Sequence, residues 1–142
     1  MATVLLGHSN LIGMSVDIDI EDSIPESGIK NKNALAVVFG VEKYKYVSGS
    51  VFAKRDAEWM KKYFENVLGI PSNRIYYKTD DDVTKGTFDR VFSKRGWLNK
   101  RADKDTDIYI YYAGHGAPDM RQNKAYLIPY DGDPNYAPQT GY

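Results

Sequence analysis

The sequence predicts an α/β fold in which a mainly parallel β-sheet carries helices on both faces. Two observations lead to this prediction. Short apolar runs, each the length of one strand, recur along the chain, and such continuous runs are typical of strands that are buried on both faces. Segments with apolar side chains at helical spacing separate the first three runs, which predicts βαβ units with right-handed crossovers.

The first three elements are each marked by their residue pattern. Residues 34–40 are apolar along their length and predict the first strand. Residues 52–68 carry apolar side chains at helical spacing and predict the first helix, with Gly69 and Pro71 as its stop signal. Residues 74–78 contain isoleucine and two tyrosines, which favour a second strand.

The later elements follow the same alternation at first. Phe88, Val91 and Phe92 lie at helical spacing and predict a second helix. Residues 106–112 predict a third strand that is apolar along its length. Residues 124–130 predict a fourth strand, with a proline near its exit.

The chain is expected to contain one main domain, over residues 34–142, preceded by an extension and linker over residues 1–33. An apolar residue alternates with aspartate over residues 16–20, which predicts an edge strand within the extension. Proline, glycine and asparagine in residues 23–33 favour a polar linker.

The overall charge argues against two classes of partner. Nineteen basic and nineteen acidic side chains give a formal net charge of zero, so we expect no nucleic-acid partner. Aspartates interrupt the basic residues of segment 94–107, which favours a solvated surface there. No apolar run approaches the roughly 20 residues of a transmembrane helix, and the first 13 residues lack a signal peptide's pattern. We therefore expect no membrane partner and a cytoplasmic protein.

A histidine between two glycines follows the third predicted strand. His115 lies three residues beyond Tyr112, at the carboxyl edge of the predicted sheet, where sites in open α/β folds form. Gly114 and Gly116 allow backbone conformations closed to other residues and let an N–H approach a ligand. An imidazole titrates near pH ~6.5, so His115 is a candidate general base and acid. The alternative is an exposed turn histidine without a function.

Hydrolysis would require a nucleophile or a metal beside His115, and the chain offers few candidates. It contains no cysteine, which excludes disulfides and thiolate metal sites. Ser48 and Ser50 follow the first strand, but Ser-Gly-Ser is typical of turns and helix starts. A zinc site would have to combine the imidazole with carboxylates from later loops, namely Asp119, Asp131 or Asp133.

Three further loops were considered as ligand sites. The acidic turns at residues 80–82 and 131–133 lack the ligand spacing of an EF-hand, so we expect no cofactor, with calcium as the alternative. Residues 43–46 alternate lysine with tyrosine, a pattern we interpret as a surface loop rather than a nucleic-acid-binding platform. The loop at residues 41–50 has one glycine, which argues against a flavodoxin-like binder of phosphorylated ligands.

These motifs together resemble the caspase-like cysteine peptidases, most closely the bacterial branch akin to metacaspases. The resemblance rests on the strand at residues 34–40, the Asp-Ala pair at residues 56–57, Tyr-Tyr-Ala-Gly-His-Gly at residues 111–116 and Tyr-Leu-Ile-Pro-x-Asp at residues 126–131. It covers residues 34–142. It implies a caspase-like three-layer sandwich and a cysteine-type endopeptidase that acts through a Cys–His dyad.

The resemblance also implies roles for individual residues. His115 corresponds to the catalytic acid and base, and the N–H of Gly116 to a donor that helps bind the tetrahedral oxyanion. The family's nucleophile is a cysteine in an Asp-x-Cys motif after the next core strand, which would lie beyond Tyr142. We therefore expect the chain to be the histidine-bearing first part of the domain, incomplete at its C-terminal side and inactive alone.

Specificity follows from the same resemblance. Caspases that cut after aspartate have an arginine six residues before the helix-opening aspartate, and counting back from Asp56 gives Ser50. The resemblance thus implies cleavage after Arg or Lys, with Ser50 and Asp119 as substrate contacts and an acidic pocket wall supplied partly by the missing half. The expected partners are a peptide or protein substrate and, at an open sheet edge, the missing half or another copy. The alternative function is a non-catalytic caspase-like interaction module.

Overall fold

A computed structural model describes residues 23–142, and a parallel three-stranded sheet forms its centre. Strand β1 (Leu35–Gly40) lies between β2 (Ile75–Thr79) and β3 (Ile108–Ala113). All six residues of β1 are buried, because neighbouring strands cover both of its edges and helices cover both of its faces. The apolar run that predicts this strand is therefore the centre of the domain.

The register of the sheet brings the ends of its strands to one level. Gly40, the last residue of β1, is paired with Thr79 at the end of β2 and with Ala113 at the end of β3. In a parallel sheet these are all carboxyl ends, so the three following loops leave from one edge.

One helix covers each face of the sheet. Helix α1 (Ala53–Asn66) places Ala57 and Phe64 against the face that carries Ala36 and Val38. Helix α2 (Lys85–Phe92) places its buried side chains against the opposite face of β1: Phe88 and Val91 contact the cluster of Leu35, Val37 and Phe39. This arrangement confirms the predicted three-layer α/β sandwich.

The first helix is slightly shorter than the predicted residues 52–68. Phe52 precedes it with a φ of 71°, and its last turn ends at Asn66. The remaining helical segments are short: the 3-10 turns Ser72–Arg74, Asp80–Asp82 and Pro134–Tyr136, and helix α3 (Ala137–Thr140). No helix within residues 23–142 has the length and apolar character needed to cross a membrane.

The predicted fourth strand does not continue the βαβ series. Strand β4 (Gly116–Asp119) follows β3 without an intervening helix and pairs antiparallel with β5 (Lys124–Leu127) in a separate hairpin. The strand predicted over residues 124–130 is therefore shorter, because Ile128 turns into a small core and the N–H of Tyr130 donates to the carbonyl of Val83. The predicted third strand likewise begins later, at Ile108 rather than residue 106.

The predicted linker at residues 23–33 is attached to the end of α1. The hydroxyl of Ser27 donates to the carbonyl of Val67 at 2.6 Å, and the N–H of Asn31 donates to the carbonyl of Gly69 at 2.9 Å. The edge strand predicted over residues 16–20 lies outside the described residues.

The packing of α2 on the sheet generates a first prediction. Phe88 is 1% exposed, and its ring lies 5.0 Å from that of Phe39. We expect Phe88→Ala to lower the free energy of unfolding by about 3–5 kcal/mol, because it leaves a cavity between helix and sheet. Urea unfolding followed by circular dichroism measures the change.

The matched control is Tyr136→Ala, which also truncates an aromatic ring but at a residue that is 62% exposed. It should change stability far less than Phe88→Ala. Equal losses in the two variants would show that α2 does not pack on the sheet as described.

Candidate active site

His115 occupies the connection between the parallel sheet and the hairpin. Strand β3 ends at Ala113, and β4 begins at Gly116, so only Gly114 and His115 lie between them. The carbonyl of His115 accepts from the N–H of Ile128 at 2.9 Å, which ties this connection to the chain that leaves β5. The side chain is half-buried at the carboxyl edge of the sheet.

The imidazole of His115 is oriented by a backbone carbonyl in the loop after β1. Its Nε2 atom lies 2.8 Å from the carbonyl oxygen of Ser48. Because a carbonyl oxygen only accepts hydrogen bonds, Nε2 carries the proton in the neutral ring. The Nδ1 atom then holds the free lone pair, and no hydrogen-bond partner for it occurs within residues 23–142. The neutral imidazole is thus arranged to accept a proton at Nδ1.

Tyr44, in the same loop, contacts His115 twice. Its hydroxyl accepts from the N–H of His115 at 2.6 Å. Its ring lies 4.6 Å from the imidazole, with an angle of 31° between the planes. One residue therefore holds both the backbone and the side chain of the histidine.

A second tyrosine extends this contact into the hairpin. The hydroxyl of Tyr112 lies 3.2 Å from that of Tyr44, 2.9 Å from the carbonyl oxygen of His115 and 2.7 Å from that of Ile128. The two hydroxyls meet beside Gly114, where an added Cβ would collide with the Tyr44 hydroxyl and lie 2.6 Å from that of Tyr112. The glycine before the histidine is therefore required by the close approach of the two tyrosines.

The N–H of Gly116 is directed away from the hairpin. The N–H of Ile128 donates to the carbonyl of His115, so in this register Gly116 and Leu127 face each other without a hydrogen bond between them. The N–H and the carbonyl of Leu127 bond instead to the carbonyl and the N–H of Tyr142. In such a pair each residue turns its N–H away from the partner strand. Gly116 is also exposed, so a donor stands open beside the imidazole.

An aspartate fixes the loop that carries Tyr44. One carboxylate oxygen of Asp80, just after β2, accepts from the N–H of Glu42 at 2.9 Å and from that of Lys43 at 3.0 Å. On the other side the N–H of Lys45 donates to the carbonyl of Tyr130 at 3.0 Å. The loop is thus anchored on both sides of Tyr44.

The two predicted substrate contacts lie apart from these interactions. Ser50 uses its N–H to bond to the carbonyl of Glu42 at 2.9 Å; the residue of this loop that reaches His115 is Ser48. Asp119 closes the turn of the hairpin by accepting from the N–H groups of Arg121 and Gln122. The structure therefore brings neither side chain to the imidazole.

The acidic side chains considered for calcium or zinc make hydrogen bonds and an ion pair within the protein. Asp131 accepts from the N–H of Lys85 at 2.8 Å and so caps the start of α2, while Asp133 accepts from the N–H of Asn135 at 2.9 Å. Asp82 pairs with Lys78 at 3.3 Å. In the described part of the chain, no three His, Cys, Asp or Glu residues group in a way that could hold a metal ion.

Sequence reasoning missed the groups that surround His115. Tyr44 falls in residues 43–46, which form a mostly exposed loop as predicted, but the pattern gave no warning that the ring and hydroxyl of this residue contact the histidine. Its position four residues beyond Gly40, at the same edge as His115, was an available signal. The carbonyl of Ser48 gives no such signal, since every residue has one.

The family of the chain follows from a comparison with family models. The caspase-domain model matches residues 33–140. The chain belongs to the caspase-domain family. This is a family of cysteine peptidases, and the match includes β1, both sheet-covering helices and the Gly-His-Gly connection. Comparisons with curated proteins and with solved structures gave no match.

Burial changes the acidity of the two tyrosines in this caspase domain. It raises the pKa of Tyr112 far above the ordinary value near 10, and the hydrogen bond with Tyr44 raises that pKa further. Burial also raises the pKa of Tyr44, against the opposing effect of its hydrogen bonds with Tyr112 and His115. Both hydroxyls therefore stay protonated where tyrosines of an unfolded chain begin to ionise.

These pKa directions predict a loss of stability in alkali. Below about pH 10 the two hydroxyls are protonated in the folded and in the unfolded protein, so their contribution to the free energy of unfolding is fully present. Above about pH 10 the unfolded chain loses these protons first, which favours unfolding. We expect the free energy of unfolding to fall as pH rises above about 10. Urea unfolding between pH 8 and pH 11.5 measures it.

Tyr112→Phe should make this alkaline loss smaller, since it removes a group whose ionisation favours unfolding. Tyr46→Phe is the matched control, because Tyr46 lies two residues from Tyr44 and is 57% exposed. An equally steep loss in Tyr112→Phe and in the parent chain would contradict the burial of Tyr112.

Proposed function

We propose that this caspase domain is the base-bearing part of a cysteine-type endopeptidase that acts through a Cys–His dyad. The observation that carries the proposal is the orientation of His115, whose Nε2 is held by the Ser48 carbonyl while Nδ1 keeps a free lone pair. Such an imidazole accepts a proton from a thiol and later returns it to a leaving group.

In the proposed reaction, Nδ1 of His115 removes the proton of the cysteine thiol. The thiolate then attacks the peptide carbonyl carbon, and its oxygen becomes an oxyanion. Collapse of this intermediate breaks the C–N bond as the imidazolium protonates the leaving amine, leaving a thioester. Water, deprotonated by His115, hydrolyses the thioester and releases the acid product and the free thiol.

Gly116 is proposed as a donor to the oxyanion. Its N–H points away from β5 and is adjacent in sequence to the base, which supports this role. Loss of one such donor typically costs on the order of 10²–10³ in rate.

The proposed nucleophile is a cysteine on polypeptide outside these 142 residues, which contain none. Strand β3 lies at the edge of the sheet, with Ile108 47% and Ile110 58% exposed. A further strand that carried the cysteine would cover these side chains by pairing with β3, either from the same polypeptide or from another copy.

The absence of a required cofactor and the cytoplasmic location stay predictions.

Cleavage after Arg or Lys is proposed as the specificity. Negative charge at the carboxyl edge supports it: Asp56, in the first turn of α1, adds to the effect of burial in raising the pKa of Tyr111, four residues before His115. A cationic side chain in the substrate would interact favourably with that carboxylate. Ser50 and Asp119 stay predictions as substrate contacts.

The first functional prediction concerns the nucleophile. The purified 142-residue chain should not hydrolyse peptides, and the coding sequence beyond Tyr142 should encode an Asp-x-Cys motif after an apolar strand. In a protein that contains that motif, His115→Ala should lower kcat by about 10²–10⁴ through loss of the base. Hydrolysis by the 142-residue chain that disappears in His115→Ala would contradict a nucleophile outside it.

The second functional prediction concerns specificity. The protein with the cysteine should cleave fluorogenic peptides that end in Arg or Lys, with kcat/KM at least about tenfold above that for matched peptides ending in Asp. Asp56→Asn should reduce this preference, while Asp105→Asn, at an exposed residue before β3, serves as the control. A preference for Asp would refute the proposed specificity.

A non-catalytic interaction module is the second candidate, favoured by the absence of cysteine and the exposed isoleucines of β3. An in-frame stop codon directly after Tyr142, together with a dimer in light scattering, would support it. A strictly monomeric, folded chain would count against it.

A further inference from the structure

We propose that Tyr44 is the positioning residue for His115: it fixes the amide of the histidine through its hydroxyl and the plane of the imidazole through its ring. This inference rests on the proposed function, because positioning has a catalytic consequence only where His115 is the base. The contacts that carry it all lie within the described chain.

Only one arrangement of the hydroxyl hydrogens of Tyr44 and Tyr112 satisfies all of their hydrogen bonds. The N–H of His115 can only donate, so it donates to the Tyr44 oxygen. The two carbonyl oxygens near Tyr112 can only accept, so the single hydrogen of Tyr112 is directed to them. The remaining hydrogen, that of Tyr44, then donates to the Tyr112 oxygen. The result is a directed chain from the amide of His115 to the carbonyl groups of the hairpin.

This chain makes the hydroxyl of Tyr44 the acceptor for the amide of the base. Without that hydroxyl, the amide of His115 loses a half-buried acceptor and the oxygen of Tyr112 loses its donor. Tyr44 thereby links the loop after β1 to the connection after β3, the two segments that must keep their relative position for Ser48 to reach Nε2.

The ring of Tyr44 adds a second restraint. It covers one face of the imidazole at a centroid distance of 4.6 Å, while the Ser48 carbonyl holds one edge through Nε2. Together they restrict rotation of the imidazole, so Nδ1 stays the basic atom.

Gly114, the glycine before the histidine, is needed for the same contacts. A side chain at Gly114 would occupy the space in which the two tyrosine hydroxyls meet. The first glycine of Gly-His-Gly therefore serves Tyr44 and Tyr112, whereas a Cβ at the second would meet only the carbonyl of Tyr126, at the ordinary contact distance of 3.6 Å.

The test uses the tautomer of His115 in the 142-residue chain, measured by ¹⁵N NMR of the imidazole at a pH where the ring is neutral. The chain has two histidines, so a His8→Gln background leaves one imidazole to observe. In that background the parent protein should show protonated Nε2 and unprotonated Nδ1. Tyr44→Leu, which removes the ring, should lower the ratio of the Nε2–H to the Nδ1–H tautomer by about three- to tenfold.

Tyr44→Phe separates the hydroxyl from the ring. It keeps the stacked face and should leave the tautomer mostly unchanged, but it should speed hydrogen exchange of the His115 amide by about five- to tenfold. Tyr46→Phe and Tyr46→Leu are the matched controls from the same loop, at an exposed residue, and should change neither measurement.

The proposal is overturned if both Tyr44 variants fold and keep the parent tautomer ratio and amide exchange. If the Tyr44 variants do not fold, Tyr112→Phe decides, because it removes the partner of the Tyr44 hydroxyl and leaves the stacked ring. Faster exchange of the His115 amide in that variant supports the directed chain, and unchanged exchange overturns it.

A kinetic measurement connects positioning to catalysis. In a protein that also contains the nucleophile, Tyr44→Phe should lower kcat by about tenfold with little change in KM, since the substrate does not need Tyr44 for binding. An unchanged kcat, or a loss confined to KM, would overturn the catalytic role. If the NMR results are as expected but the protein shows no peptidase activity, the proposed function is refuted, whereas the positioning of His115 by Tyr44 still holds.

Discussion

The three parallel strands end at the same position in the sheet, and the rest of the site depends on this alignment. Gly40 is paired with Thr79 and with Ala113, so the loops after β1, β2 and β3 start side by side. A shift of register by one residue would also turn every side chain of β1 to the opposite face. Since that strand is buried on both faces between two helices, its packing fixes the register and therefore the relative position of the loops.

Polar contacts between these loops convert that alignment into a fixed orientation of the His115 imidazole. Asp80, after β2, holds the backbone on one side of Tyr44, and Tyr130 holds it on the other. Tyr44 then holds His115. Each of these bonds joins segments far apart in sequence but adjacent at the sheet edge, so the orientation of the imidazole is a property of the tertiary fold.

The sequence predicted the elements whose signal is local and missed those that depend on distant partners. Residues 34–40 identified β1 because burial on both faces requires an apolar run, and Gly-His-Gly placed His115 at the correct edge. Strand β4 was missed because Gly116-Ala117-Pro118-Asp119 has the composition of a turn; its pairing with β5 makes it a strand. The contacts of Tyr44 were missed for the same reason, since its partners are about 70 residues away.

The groups that orient His115 all belong to segments that this chain contains. The Ser48 carbonyl, the ring of Tyr44 and the hydroxyl of Tyr112 fix the imidazole and its backbone without any contribution from a nucleophile. In the proposed reaction, a base positioned in this way would not have to be ordered when a thiol arrives, so the entropy of arranging it would be lost on folding rather than during the reaction. In that proposal, a cysteine-bearing strand that paired with β3 would need to place only one reacting atom, because the proposed acceptor on His115 and the proposed donor on Gly116 are already in position.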